Sequence, residues 1–315
     1  MKVLANDGIS QVGKDKMEEA GIEVIETKVA QEQLANYIND NAIDAILVRS
    51  ATQVDKKLID ACPDLKLIGR GGVGLDNIDV AHAKSKNIHV INTPAASSES
   101  VAELVMGHLL SGVRFLADSN RNMPLEGDQN FKKLKKAYQG AELKGKTLGI
   151  IGLGRIGQAV AKRAIGMGMS VVFHDHHPEE RIITMDFFDG QQLTFKISGI
   201  SLDSLLEQAD FISVHVPATN GYVIGSAEIE KMKTGVGIVN AARGGILDEV
   251  ALIKALDKGK IAFAGLDVFE SEPTPEIKIL MNPKISLSPH IGGSTVEAQD
   301  RIGLELAAQV IELLN

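Results

Sequence analysis

One stretch of sequence decides the fold of this chain: Thr147-Leu148-Gly149-Ile150-Ile151-Gly152-Leu153-Gly154-Arg155-Ile156-Gly157-Gln158-Ala159-Val160-Ala161. The apolar residues at its start predict a strand, and the residues after the last glycine predict a helix. Spaced glycines permit a tight turn and let a pyrophosphate approach the amides at the helix N-terminus. The residues of this turn expected to bind a dinucleotide are Gly152, Gly154, Arg155, Ile156 and Gly157.

An acidic residue further along the chain indicates which dinucleotide binds. Asp175 lies 18 residues after Gly157, at the end of the next predicted strand. Its carboxylate would accept hydrogen bonds from the adenosine ribose hydroxyls and repel a 2′-phosphate. We therefore expect NAD as the cofactor. The neighbouring His174, His176 and His177 lack the spacing of a metal site, so no metal is expected.

Outward from this turn, short apolar runs alternate with helical patterns in two series. The first series predicts strands at 2–6, 21–26, 45–49, 65–68 and 89–91. The second predicts strands at 147–151, 170–174, 211–216, 236–240, 262–268 and 285–288. Such alternation is typical of βα units that build parallel sheets. The predicted fold class is α/β, with two doubly wound parallel-sheet domains: a flavodoxin-like substrate domain and a Rossmann NAD-binding domain.

The domain boundaries follow from two predicted linker helices. The capping-box patterns Ser100 to Glu103 and Ser294 to Glu297 predict a helix start at each site. We expect residues 1–96 and 289–315 to form the substrate domain and residues 97–288 to form the NAD-binding domain. Within the long connection 178–198, an antiparallel hairpin is expected around Asp189-Gly190.

Composition limits the possible partners. The formal net charge is −8, so no global positive field attracts nucleic acid or anionic lipid, and an anionic substrate must be bound by local cations. With one cysteine, Cys62, and no signal-peptide pattern after Met1, a cytoplasmic location is expected. No apolar run approaches the roughly 20 residues of a membrane helix. The expected partner is a small anionic molecule.

Three polar side chains follow consecutive strands of the second series. Arg243, Glu272 and His290 come after the strands 236–240, 262–268 and 285–288. Because ligands bind outside the carboxyl ends of parallel strands, these side chains are candidates for one site. The guanidinium suits a substrate carboxylate, the imidazole suits proton transfer, and the carboxylate suits orientation of the imidazole. Taken singly, each also fits an ordinary surface role.

The sequence around these residues resembles the D-isomer-specific 2-hydroxyacid dehydrogenase family. The resemblance is carried by Asn240-Ala241-Ala242-Arg243-Gly244-Gly245, by Gly265 to Pro273 and by Ser288 to Thr295. It implies Arg243, Glu272 and His290 as the catalytic residues, and Asp267 as the residue that binds the nicotinamide carboxamide. Further cofactor-binding residues implied by the resemblance are Val216, Pro217, Ala241, Ala242, Arg243, His290, Gly292 and Gly293.

Two segments of the first domain resemble the D-3-phosphoglycerate dehydrogenase branch of that family. They are Val48-Arg49-Ser50-Ala51-Thr52 and Gly69-Arg70-Gly71-Gly72-Val73-Gly74-Leu75-Asp76-Asn77. The resemblance implies 3-phosphoglycerate and 3-phosphohydroxypyruvate as substrates, within serine biosynthesis. The residues expected to bind substrate are Arg49, Ser50, Arg70, Gly72, Val73 and Gly74.

The sequence is also compatible with other functions. A glyoxylate or hydroxypyruvate reductase would use the same three catalytic residues on an unphosphorylated acid. A formate dehydrogenase is disfavoured because that branch has Gln at the position of Glu272. An NAD-dependent corepressor-like binding protein is the alternative outside the enzymes. The resemblance also implies a homodimer.

Overall fold

The computed structural model describes residues 1–177 and 179–314 of the chain, so Pro178, the first residue of the long connection 178–198, and Asn315 lie outside the described residues. The chain divides into two compact units. Unit 1 comprises Met1–Ser100 and Gly293–Asn315, and unit 2 comprises Val101–Gly292. The observed divisions lie four residues beyond the sequence-predicted boundaries at 96 and 288. His290 consequently lies in unit 2.

The first part of the chain contains five strands and four α-helices among its described residues. The strands are β1 (Lys2–Ala5), β2 (Glu23–Ile25), β3 (Ala45–Val48), β4 (Leu67–Arg70) and β5 (His89–Asn92). The helices are α1 (Gln11–Glu19), α2 (Leu34–Asp40), α3 (Lys56–Ala61) and α4 (Val80–Ser85), with a short 3₁₀ helix at Gln31–Gln33.

The remaining elements follow in chain order. The helices are α5 (Ser98–Val113), α6 (Leu116–Ala137), α7 (Arg155–Gly166), α8 (Leu202–Gln208), α9 (Ser226–Lys231), α10 (Glu249–Asp257), α11 (Ile277–Leu280) and α12 (Val296–Leu314). The strands are β6 (Thr147–Ile151), β7 (Ser170–His174), β8 (Arg181–Asp186), β9 (Gln192–Ile197), β10 (Phe211–Val214), β11 (Val236–Asn240), β12 (Ile261–Leu266) and β13 (Ile285–Leu287).

Unit 1 is built on a parallel sheet with strand order β2-β1-β3-β4-β5. All four residues of β3 are buried, as expected for a strand covered on both faces. The final helix α12 packs on α1 so closely that a Cβ at Gly13 would lie 2.6 Å from the backbone of Gly303. This strand order is flavodoxin-like, which confirms the predicted fold class for this unit.

Unit 2 has a six-stranded parallel sheet with strand order β13-β12-β11-β10-β6-β7. Beyond β7, Gly199 forms a single parallel bridge with Phe173. Counting that bridge as a reduced strand gives the Rossmann order, in which the topological switch point falls between β6 and β10. The Rossmann prediction is therefore confirmed, with one strand shortened to a bridge.

The predicted hairpin is present in unit 2. Strands β8 and β9 pair antiparallel, from Arg181 opposite Ile197 to Asp186 opposite Gln192. Gly190 in the turn has φ +83°, a left-handed conformation that glycine adopts at little cost. Ile183 and Ile197 are buried in the same hydrophobic cluster as Phe173, so the hairpin packs onto the Rossmann sheet.

Both linker helices begin near the predicted positions, but the predicted serine caps neither of them. Helix α5 begins at Ser98, two residues before the predicted start, and Ser100 Oγ is 2.7 Å from Thr295 Oγ1. The Ser100 hydroxyl therefore contacts a distant side chain, so the prediction that it caps the helix was wrong. Helix α12 begins at Val296, where Thr295 Oγ1 accepts the N–H of Ala298 at 3.2 Å. The cap is thus Thr295 in place of Ser294.

A helix can cross a membrane only if it is long and apolar enough. No single helix among the described residues is long and apolar enough to cross a membrane. Helices α5 and α6 reach the required length and hydrophobicity only together, as a pair bent by 55°. In unit 2, α5 packs in the core through Val105 and Leu109. Lys132, Lys133, Lys135 and Lys136 of α6 are exposed around the buried Leu134.

Candidate active site

The glycine turn after β6 is shaped by close backbone contacts. Gly152 has φ +91°, and a Cβ at this position would lie 2.6 Å from the carbonyl oxygen of His215. A Cβ at Gly157 would lie 2.2 Å from the carbonyl oxygen of Gly152, so α7 and the turn have no room for a side chain there. By contrast, no heavy atom lies within 4 Å of a Cβ built on Gly154. The space beside Gly154, at the N-terminus of α7, fits a bound pyrophosphate.

Asp175 lies at the end of β7 and is hydrogen-bonded to the glycine turn. Its Oδ2 accepts the N–H of Leu153 at 2.7 Å. Partial burial raises the pKa of Asp175, but the N–H groups of Leu153, His176 and His177 stabilise the charged form more, so the pKa lies below its ordinary value. A carboxylate has about four acceptor positions, so ribose hydroxyls can bind beside these amides. The glycine turn and Asp175 together fit the NAD predicted from the sequence.

The other predicted cofactor residues of unit 2 lie at the same edge of its sheet. Val216 and the exposed Pro217 follow β10, on the other side of the topological switch point from the glycine turn. Ala241 and Ala242 follow β11 and are buried. Gly293 is the exception among the predicted cofactor residues, because it lies in unit 1.

Arg243 lies in a turn that Asn240 stabilises. The buried Asn240 side chain accepts the N–H of Ala242 at 3.1 Å and donates to the Arg243 carbonyl at 2.9 Å. The Arg243 guanidinium is half-buried, and its Nη1 donates to the Ala242 carbonyl at 2.6 Å. A Cβ at Gly244 would lie 1.8 Å from the Phe269 carbonyl oxygen, so the turn after β11 packs directly against the turn after β12.

Glu272 and His290 form the hydrogen bond that the sequence predicts. Glu272 Oε2 lies 2.8 Å from His290 Nδ1, and Oε1 accepts the N–H of Phe269 at 2.9 Å. Because an ionised carboxylate can only accept, the proton of this bond belongs to Nδ1. In the neutral ring, Nε2 is then the basic nitrogen. The side chains of Glu272 and His290 are 35% and 42% exposed, which leaves the imidazole accessible to a substrate.

Asp267 anchors the loop that carries His290. Its Oδ1 accepts the Ser288 hydroxyl at 2.6 Å and the N–H of Ile291 at 2.8 Å, and its Oδ2 accepts the N–H of Gly292 at 2.8 Å. The loop needs such anchoring because His290 has φ +54°, an unfavourable conformation for a residue with a side chain. Asp267 is only 1% exposed, and Oδ2 retains one acceptor position for a carboxamide.

Arg49 lies at the corresponding edge of the unit 1 sheet. It follows β3, which neighbours β1 at the point where the strand order of this sheet reverses. Asp7, after β1, accepts the N–H of Arg49 at 2.8 Å and the hydroxyl of Thr52 at 2.9 Å. Burial lowers the pKa of the Arg49 guanidinium, and the nearby Asp7 carboxylate opposes this. The guanidinium has no hydrogen-bonded partner among the residues that the structure describes.

The Arg70 side chain contacts its own loop. Its Nη1 donates to the carbonyl of Gly74, the Gly72 carbonyl accepts the N–H of Thr93 at 3.1 Å, and the Val73 carbonyl accepts the Asn92 amide at 2.7 Å. The three carbonyls of the 72–74 loop are therefore all bonded within unit 1. Within the described ranges, the N–H groups of Val73 and Gly74 donate to no protein acceptor, as an anion-binding loop requires. Ser50 is exposed beside Arg49.

Two residues of these edges were not singled out from the sequence. Asp7 and Asn240 hold the backbone of Arg49 and of Arg243 through hydrogen bonds. The available signal was their position at a carboxyl edge, since Asp7 lies two residues after β1 and Asn240 is the last residue of β11.

A separate cavity of about 440 Å³ lies at the amino ends of the unit 2 strands. Phe115, Phe211 and Phe263 contribute to its wall, together with Lys146 and Lys233. Its lining contains none of the predicted catalytic or cofactor residues, which lie at the carboxyl edge of the same sheet.

This arrangement defines a dinucleotide-binding domain with a paired imidazole and carboxylate at its carboxyl edge, and comparison with known proteins agrees. The model of the D-isomer specific 2-hydroxyacid dehydrogenase NAD-binding domain matches residues 106–292. A hydroxypyruvate reductase of Thermotoga maritima is 45% identical over 95% of this chain and 93% of its own length. The chain belongs to the D-isomer-specific 2-hydroxyacid dehydrogenase family, and its cofactor is NAD.

Other relatives differ in length or in substrate. A D-3-phosphoglycerate dehydrogenase of Archaeoglobus fulgidus is 40% identical over 99% of this chain, which spans 57% of that protein. The solved D-lactate dehydrogenase of Aquifex aeolicus, in complex with NAD and lactic acid, has a TM-score of 0.75 and 30% identity, covering 98% of this chain and 94% of that one. Members of the family therefore differ in the hydroxy acid for which they are named.

Proposed function

We propose that this NAD-dependent dehydrogenase interconverts 3-phosphoglycerate and 3-phosphohydroxypyruvate. The observation that carries the proposal is the half-buried Arg49 guanidinium at the switch point of unit 1, with no hydrogen-bonded partner among the described residues. A partly desolvated guanidinium is well suited to bind a phosphate or carboxylate through paired hydrogen bonds. The unbonded N–H groups of Val73 and Gly74 add neutral donors in the same unit.

The chemistry at C2 is assigned to unit 2. The chemistry that bound NAD would supply is hydride transfer to or from C2 of the substrate. In oxidation, Nε2 of His290 accepts the proton of the C2 hydroxyl; in reduction, the imidazolium returns it to the carbonyl oxygen. Glu272 holds Nδ1 at 2.8 Å and stabilises the charge that the ring acquires. Arg243 binds the substrate carboxylate and polarises the C2 oxygen.

NAD binding is assigned to the glycine turn and Asp175. The amides of Gly154, Arg155 and Ile156 lie at the start of α7, where the helix dipole favours a pyrophosphate. The Asp175 carboxylate, held in its charged form by backbone N–H groups, binds the ribose and disfavours a 2′-phosphate.

A second candidate substrate is unphosphorylated hydroxypyruvate. It is supported by the hydroxypyruvate reductase that matches the chain over nearly its whole length. It is also supported by Arg70, because the bond from its Nη1 to the Gly74 carbonyl commits part of that guanidinium to its own loop. The phosphorylated substrate is supported by the phosphoglycerate dehydrogenase relatives. It is also supported by the prediction that two cationic side chains, Arg49 and Arg70, bind the substrate.

Substitution of Arg49 separates the two candidates. The backbone of Arg49 is held by Asp7 and Asn77, whose hydrogen bonds survive a change of side chain, so Arg49→Ala should fold normally. A hydrogen bond to a charged group contributes about 1.5–3 kcal/mol, so kcat/KM for 3-phosphohydroxypyruvate should fall by roughly 10- to 150-fold. For hydroxypyruvate it should change little. Arg49→Lys should recover part of the activity.

The assay is NADH oxidation with 3-phosphohydroxypyruvate, hydroxypyruvate and glyoxylate as substrates. Lys57→Ala is the matched control, because it removes a positive charge from an exposed position in the same unit. Equal losses on the phosphorylated and unphosphorylated substrates would overturn phosphate recognition by Arg49 and favour the hydroxypyruvate reductase. Absence of turnover on every 2-oxo acid, with normal NADH binding, would favour the corepressor-like binding protein.

A further inference from the structure

His108 is a buried histidine that the chemistry described above does not use. It lies on α5, is 4% exposed, and contacts two serines near the end of β13. Its Nδ1 lies 2.9 Å from Ser286 Oγ, and its Nε2 lies 3.0 Å from Ser288 Oγ. The packing around it is tight, because a Cβ at Gly265 would lie 2.5 Å from His108 Cβ. Both ring nitrogens are thus bonded in a fixed position.

The hydrogen bonds around His108 have one consistent direction. The Ser288 hydroxyl lies 2.6 Å from Asp267 Oδ1 and donates to it, since a carboxylate has no proton to give. With its proton committed, Ser288 Oγ must accept from His108 Nε2–H. In the neutral ring, Nδ1 then accepts the hydroxyl proton of Ser286. Burial lowers the pKa of His108, opposed by the Asp267 charge, which agrees with this neutral ring.

This chain of bonds ends on the residue that anchors the His290 loop. Asp267 accepts the N–H groups of Ile291 and Gly292, the two residues that follow His290. His290 itself has a left-handed φ of +54°, which persists only where the surroundings fix the loop. The donor at Nε2 of His108 fixes the Ser288 hydroxyl, which in turn fixes one oxygen of Asp267.

We propose that His108 is a positioning residue for proton transfer at C2: through Ser288 and Asp267 it fixes the loop that holds His290 against Glu272. The inference rests on the proposed role of His290. Without the Nε2 donor, Ser288 Oγ can turn away from Asp267, and the His290 loop gains freedom. Misplacement of a reacting group by about 1 Å can lower a rate by as much as about 100-fold.

The test is a cycle of kcat measurements on the full chain, with substitutions at His108 and His290. His108→Leu should lower kcat by about 10- to 100-fold in the otherwise wild-type protein. In the His290→Ala background the same substitution should leave kcat unchanged, because the group that it positions is already gone. A loss of equal size in both backgrounds would overturn the proposal.

Two further variants distinguish positioning from a general loss of stability. Val105→Ala, on the same helix and fully buried, weakens packing without touching the hydrogen bonds, so it should lower the thermal midpoint while leaving kcat of the folded protein unchanged. His108→Gln can place an amide donor near the Nε2 position, whereas His108→Asn is too short to do so. A kcat near the wild-type value in His108→Gln but not in His108→Asn supports the proposal. This comparison remains valid if His108→Leu does not fold.

These measurements distinguish a failure of the proposed role of His290 from a failure of the positioning role of His108. If His290→Ala retains normal turnover, the proposed role of His290 fails and the positioning role fails with it. If His290→Ala loses turnover but His108→Leu, His108→Gln and His108→Asn all keep wild-type kcat, only the positioning role is refuted.

Discussion

Removal of the Asp175 side chain should weaken the fold of unit 2 as well as NAD binding. Oδ2 of Asp175 accepts the N–H of Leu153 at 2.7 Å, and Leu153 is 5% exposed, so Asp175→Ala leaves a buried donor without its acceptor. An unsatisfied buried donor costs about 1–3 kcal/mol. In a unit of this size, each kcal/mol of destabilisation lowers the thermal midpoint by about 2–4 °C. The thermal midpoint of Asp175→Ala should therefore fall by roughly 2–12 °C.

The same substitution should change the choice of cofactor. Loss of a charged acceptor for the ribose should weaken NADH binding by roughly 10- to 150-fold, while NADPH binding loses a repulsive charge. Asp175→Asn is the matched variant, because its amide oxygen can still accept the N–H of Leu153. We expect Asp175→Asn to keep most of the thermal stability while still losing discrimination against NADPH.

The measurements are thermal unfolding of the cofactor-free protein and titration of NADH and NADPH by nicotinamide fluorescence. An unchanged ratio of the two affinities in both variants would refute the assignment of Asp175 to the ribose. An unchanged thermal midpoint in Asp175→Ala would refute the structural role of its bond to Leu153.

Further predictions concern glycines and acid stability. Gly154→Ala should keep the thermal midpoint but weaken NADH binding in a fluorescence titration, because the open space beside Gly154 is where the pyrophosphate is expected; normal binding would contradict this. Gly13→Ala should destabilise unit 1 by about 1–3 kcal/mol in denaturant unfolding, because its Cβ would lie 2.6 Å from the Gly303 backbone; unchanged stability would contradict that contact. The lowered pKa of Asp175 contributes stability that is fully present above its ordinary value of 3.8 and is lost as pH falls through the lower folded-state pKa. The loss of stability between neutral and strongly acidic pH should therefore be smaller in Asp175→Asn, and an equal loss would contradict this.

Local features of this protein could be predicted from its sequence. The strand before Gly152, the helix after it and the β8–β9 hairpin each depend on residues that are close in the chain. The pairing of Glu272 with His290 was also predicted, because consecutive parallel strands deliver their following residues to one edge. In these places the local pattern and the tertiary structure agree.

Contacts between distant residues could not be predicted. Asp7 holds a backbone N–H 42 residues away, and His108 bonds to serines 178 and 180 residues away, so no local spacing reveals either contact. The start of α5 was misplaced for a similar reason, because the Ser100 hydroxyl lies 2.7 Å from Thr295 Oγ1. Such long-range bonds depend on which strands and helices become neighbours.

The proposed mechanism depends most directly on His290, the residue that transfers the substrate proton. The decisive measurement is kcat for NADH oxidation by the wild type and by His290→Ala, on 3-phosphohydroxypyruvate and on hydroxypyruvate, with NADH affinity measured in parallel. We expect a fall in kcat of roughly 10²- to 10⁴-fold with NADH affinity preserved, because only proton transfer is lost. Near-normal turnover in His290→Ala would contradict it.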